Sequence, residues 1–86
     1  MNRFTMKLLA KTGNEGFARS SVSAFCLELN PSLEEINDIK TAVSEAVTNC
    51  IVHAYGGKED KYIDISVSLE DQKAEIIIPL LPRRPK

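Results

Sequence analysis

Charge of one sign is what this chain most lacks. Eleven Lys and Arg stand against twelve Asp and Glu, leaving a formal net charge of −1. That balance gives no electrostatic case for nucleic acid, which calls for a basic patch or stripe. Aromatic residues are also few, three Phe and two Tyr, with none of the basic–aromatic interleaving that stacks bases. The two cysteines, Cys26 and Cys50, form no C-x-x-C pair, and His53 is the sole histidine, which argues against a structural zinc site. Both are read as buried, inert thiols and are assigned no function. No apolar run approaches the ~20 residues needed to span a bilayer, and Met1-Asn-Arg-Phe-Thr5 lacks the apolar core of a secretory signal. A cytoplasmic protein with neither nucleic acid nor membrane as direct partner is the expectation.

What the chain does contain suits one small domain, able to bury roughly 60–65% of its unfolded surface. Phe4 to Ala10 alternates, with Phe4, Met6, Leu8 and Ala10 on one face, and reads as a strand. Lys11 to Asn14 reads as a turn whose Thr12 or Asn14 can cap a helix. From Glu15 to Leu29, Ala18, Val22, Phe25 and Leu29 recur at helical spacing as a buried stripe, with Arg19, Ser23 and Cys26 off it. Asn30-Pro31-Ser32 then offers an N-cap, a proline in the first turn and a Ser32-x-x-Glu35 capping box. A second helix follows from about Leu33 to Ala54, roughly 33 Å long, with Gly56-Gly57 as its stop. Tyr62 to Leu69 alternates with Ile63, Ile65, Val67 and Leu69 inward. Glu70 to Lys73 fits a hairpin, and Ala74, Ile76 and Ile78 continue the apolar face. The order β-α-α-β-β predicts an α+β two-layer sandwich with both helices on one face of a mixed sheet.

The second helix carries most of the functional information. Its core-facing stripe is Ile36, Ile39, Val43, Val47, Cys50 and Ala54 at about 100° per residue. Glu45 falls nearly opposite that stripe, while Asn49 and His53, at i+4 and i+8, step back towards its edge. A carboxylate and a neutral oxygen ligand one turn apart can serve a metal-bound phosphate. The carboxylate aligns a hydroxyl as general base, and the amide oxygen reaches a hard cation. A merely solvated helix face has the same look when the spacing is taken alone.

The wider pattern adds a resemblance. Leu33 to Gly57, "LEEINDIKTAVSEAVTNCIVHAYGG", resembles the N-box helix of the GHKL superfamily of ATPases and kinases, which includes DNA gyrase and the histidine kinases. Within it the match is to the serine-kinase anti-sigma factors of spore-forming bacteria, and "NEGFARSSVSAF" resembles their first helix. The resemblance runs from the N-terminus to about Ile78. It implies an ATP-dependent protein-serine kinase using Mg-ATP. Glu45 would be the general base, Asn49 the magnesium ligand, His53 a phosphate-side contact and Arg19 a partner-binding residue. The partners it implies are a sporulation sigma factor, an anti-anti-sigma protein and a second copy of the chain.

At Pro79 the composition breaks. Pro79, Pro82 and Pro85 preclude a helix or central strand, and Arg83-Arg84 in such a segment reads as part of a disordered tail. Relatives would here read Asp-x-Gly-x-Gly, whose Asp recognises adenine, followed by an ATP lid. The expectation is therefore a partial domain over 1–78 with a tail over 79–86, truncated or frameshifted near Ile78. The alternative function is a catalytically dead interaction module, or a fragment with no role and no ATP binding.

Overall fold

The computed structural model describes residues 1–54, 56 and 60–79. Strand β1 (Asn2–Leu9) leads into helix α1 (Asn14–Phe25), which tightens into a 3₁₀ turn over Cys26–Leu29. Helix α2 (Leu33–Asn49) loosens into a π turn over Cys50–Ala54, and strands β2 (Tyr62–Glu70) and β3 (Lys73–Ile77) close the fold. Two helices lie between β1 and β2, so the chain goes out and back before re-entering the sheet. It therefore re-enters antiparallel to the strand it left. The sheet order is β1-β2-β3, and both pairings are antiparallel, which corrects the expectation of a mixed sheet for the described strands.

Register places the apolar side chains together. Phe4, Met6 and Leu8 stand opposite Val67, Ile65 and Ile63, while Ile76 and Ala74 stand opposite Val67 and Leu69. Because side chains alternate with period two, all of these share one face. Ile63, Ile65, Val67 and Leu69 of the central strand are buried there with Ala18, Val22, Val43, Val47 and Cys50 from the helical layer. The opposite face is more polar and more open, though Tyr62 and Ile77 are exposed on it; there Lys7 Nζ lies 3.8 Å from Asp64 Oδ1 and 5.3 Å from the centroid of the Tyr62 ring. Both helices thus pack on one face, as expected.

Several local expectations are corrected. Neither Thr12 nor Asn14 caps α1: its N-cap is Gly13, with no side-chain cap bond. Asn14 Nδ2 instead donates to the Leu9 carbonyl at 2.8 Å, and the Asn14 and Glu15 amides donate to the Lys11 and Thr12 carbonyls. A tight turn supplies backbone acceptors, so a capping side chain is unnecessary. Continuous helix to Leu29 was also too simple. The 3₁₀ winding has three residues per turn, so it shifts Leu29 off the α-helical stripe, whereas Cys26, four residues after Val22 and eight after Ala18, continues the buried side of α1. Ser23 and Cys26 are buried, while Phe25 and Leu29 are half-buried. Phe25 sits at the side of the core, its ring centroid 4.6 Å from that of Phe4. Asn30 is not an N-cap but ends the 3₁₀ turn in the left-handed region at φ 55°.

At the start of α2 the expected capping box is present. The Glu35 amide donates to Ser32 Oγ at 3.1 Å, and the Ser32 amide donates to Glu35 Oε1 at 2.8 Å. Of the expected α2 stripe, Val43, Val47 and Cys50 are buried, and Ile36 and Ile39 are half-buried. The side chain of Ala54 lies outside the described residues. Gly56, at φ +60°, fits the expected stop; Tyr55 and Gly57 lie outside the description. Burial raises the Cys26 and Cys50 thiols above their ordinary pKa, which suits the inert role assigned to them.

The β2–β3 hairpin turns at Asp71 and Gln72, both at positive φ, 53° and 63°. Asp tolerates that region better than Gln, whose Cβ crowds the following carbonyl. Gln72→Gly is accordingly expected to stabilise the chain by about 0.5–1 kcal/mol, read as a raised urea midpoint with unchanged slope. An unchanged or lowered midpoint would mean that the turn is unstrained.

Candidate functional site

Helix α2 presents its polar side beside the N-terminal half of α1. Ser44, Glu45, Thr48 and Asn49 line one open depression on this surface, and Glu45, Thr48 and Asn49 are all exposed. Two causes place them there. Val43 and Val47 turn inward against the sheet, so residues one or two positions on turn outward. The capping box fixes where the helix begins, and hence which residues its outer turns display. Glu45 and Asn49 are brought together as the i, i+4 spacing requires.

His53 is placed differently. It is exposed, lies in the π turn, and is not among the residues lining the depression. The i+8 alignment assumed α-helical winding throughout. A π turn closes i→i+5 bonds and so changes the angular step after Asn49.

Arg19 is also more engaged than a solvated arginine. Its Nη1 donates to Glu15 Oε2 at 3.0 Å and to Ser44 Oγ at 3.5 Å, and Ser44 Oγ in turn donates to the same Glu15 oxygen. The Arg19 and Glu15 side chains retain 41% and 24% of their exposure. This three-residue cluster ties α1 to α2 one residue before Glu45. Charge-assisted bonds shared across two helices hold geometry better than an isolated surface ion pair. Sequence reading missed Glu15, Ser44 and Thr48. The Glu15–Arg19 spacing was a visible i, i+4 signal, but the bond to Ser44 is a tertiary contact that no local pattern announces.

The chemistry available here is that of hard oxygen donors: one carboxylate, one amide and two hydroxyls. Such a set suits a magnesium-bound phosphate, because Mg²⁺ keeps several waters and takes only one or two protein ligands. Among the described residues no three His, Cys, Asp or Glu side chains converge on a metal position. Nor does any described helix have the length and apolarity to cross a membrane.

Sequence comparison gives the class to which this α+β sandwich belongs. Residues 9–79 match the histidine kinase-like ATPase domain, and the chain belongs to that family. It is 51% identical to the anti-sigma F factor of Clostridium perfringens over 77 residues, 90% of this chain and 55% of that protein. Over the same length it is 48% identical to the anti-sigma F factor of Clostridium novyi. Identity is 61% over 57 residues to that of Caldanaerobacter subterraneus, 66% of this chain and 40% of the relative. The chain thus spans about half the length of the curated relatives it matches.

Proposed function

We propose that this chain carries the phosphate-facing part of a protein-serine kinase site, in a cytoplasmic anti-sigma factor. That factor would sequester a sporulation sigma factor and phosphorylate an anti-anti-sigma protein. Family membership and the anti-sigma F relatives support the class. One observation carries the site: Glu45 and Asn49 share a depression with the hydroxyls of Ser44 and Thr48.

Asn49 Oδ1 would hold the cation of Mg-ATP, with the Thr48 hydroxyl in the same depression. Charge neutralisation on the transferring phosphoryl group is what that cation supplies. Glu45 accepts the proton of the incoming serine hydroxyl as its oxygen bonds to the γ-phosphorus. The bond from that phosphorus to the bridging oxygen breaks, and ADP leaves with the electron pair. The Glu15–Arg19–Ser44 cluster holds α1 against this face. It leaves Arg19 with enough exposure to meet a protein partner.

For the 86-residue chain taken alone, a second reading is a catalytically silent interaction module. The depression is open and its four lining residues are polar, whereas tight nucleotide sites are concave and largely apolar. No Asp-x-Gly-x-Gly occurs in the sequence. Calorimetric titration of the 86-residue chain with Mg-ATP is therefore expected to give at best millimolar affinity, about 4 kcal/mol. Micromolar binding would overturn the silent reading. Complete absence of binding at tens of millimolar would remove the phosphate site.

A further inference from the structure

The α1 side of the depression carries an anion that the phosphoryl-transfer chemistry does not use. Glu15 stands in the first turn of α1, whose N-cap Gly13 offers no side-chain bond. The helix dipole favours an acid there, so the fold has its own reason to keep a carboxylate at this point. Its Oε2 accepts from Ser44 Oγ, and Ser44 lines the depression beside Glu45. The Glu15 charge therefore lies one hydrogen bond from the wall of a site that already holds a carboxylate. Mg-ATP carries net negative charge, and a second carboxylate at that range repels it.

Arg19 answers that charge. Its Nη1 donates to Glu15 Oε2 at 3.0 Å and to Ser44 Oγ at 3.5 Å. The cation thus sits against the same carboxylate oxygen that meets the wall. None of the four residues lining the depression is basic. Among the described residues, Arg19 is the one cation hydrogen-bonded to any of them. We propose that Arg19 is a positioning residue for the nucleotide, acting through Glu15. It neutralises that carboxylate at the Ser44 wall and so lets the phosphates of Mg-ATP approach Asn49. Ser44, donating to Glu15 and accepting from Arg19, keeps the ion pair at the wall. This role rests on the reading of Glu45 and Asn49 as the phosphate-facing pair. It gives Arg19 a task within its own chain, apart from any contact with a protein partner. A purely mechanical tie between α1 and α2 makes a different demand, since there the bonds matter and the charges do not.

Residue-resolved NMR titration of the full 86-residue chain with Mg-ATP separates the two, because it reads millimolar dissociation constants. Arg19→Ala is expected to raise the Kd about fivefold at low salt, with the ratio to wild type shrinking as salt is raised. Glu15→Gln removes the charge but leaves an oxygen to accept from Ser44. Added to Arg19→Ala, it is expected to bring the Kd back to within about twofold of wild type. Arg19→Lys, which keeps the cation but not the guanidinium fork, should also stay within about twofold. An Arg19→Ala chain that binds as wild type would overturn the proposal. So would a double variant as weak as Arg19→Ala alone, which would make the cluster a mechanical tie. Wild-type shifts absent from Ser44, Glu45, Thr48 and Asn49 would remove the phosphate site itself, and this role with it.

Discussion

Glu45→Ala is expected to lower phosphoryl transfer by about 10²–10⁴-fold while leaving nucleotide affinity within about twofold. The measurement suits a hybrid in which residues 9–79 of this chain replace the matching stretch of the full-length Clostridium perfringens relative. A general base acts as the serine proton is lost, so its removal is felt in the transition state and hardly in the bound nucleotide. Asn49→Ala should behave in the opposite way, because a cation ligand contributes before the chemical step. It would raise the Kd for Mg-ATP and lower turnover together. Glu45 is exposed on the outer side of α2, so its replacement leaves no cavity and the fold should persist. Equal losses of binding and transfer in the Glu45 variant would mean that the residue is structural.

Ile65→Ala should cost about 2–5 kcal/mol of stability. Ile65 is 1% exposed on the central strand, opposite Met6 and within the cluster that joins sheet to helices. Truncation removes about three methyl and methylene groups from a site enclosed by secondary structure on both sides, where neighbours cannot collapse inward. Small domains have only about 5–15 kcal/mol in total, so one such change consumes much of it. Urea unfolding followed by circular dichroism reads the effect as a lowered midpoint. A loss below about 1 kcal/mol would mean that this part of the core is loosely packed.

Strand periodicity was the most legible layer. Ile63, Ile65, Val67 and Leu69 are buried as alternation requires, because a central strand with one solvated face has no other way to hide them. The Ser32–Glu35 box was equally plain, being a purely local arrangement. What escaped was winding. Neither the 3₁₀ turn at Cys26–Leu29 nor the π turn at Cys50–Ala54 leaves a compositional trace, and each rotates the residues beyond it. His53 therefore left the line drawn through Glu45 and Asn49, whereas Cys26 is buried because it continues the i, i+4 row of Ala18 and Val22. The described strands pair antiparallel rather than as a mixed sheet, as two intervening helices and a tight hairpin require. In the site, Glu45 and Asn49 were visible because their relation lies within one helix. Ser44's bond to Glu15 joins residues 29 apart in sequence and became visible only when α1 was laid against α2.

Magnesium-ATP titration followed by residue-resolved amide NMR of the 86-residue chain bears most directly on the site itself. Weak binding is no obstacle there, because millimolar contacts still displace resonances in fast exchange. Shifts should concentrate on Ser44, Glu45, Thr48 and Asn49, require magnesium, and shrink sharply in Asn49→Ala while the rest of the spectrum is unchanged. Shifts clustered instead around Leu29, Pro31 and Glu35, or equal in wild type and Asn49→Ala, would contradict the assignment of this helix face to the nucleotide phosphates.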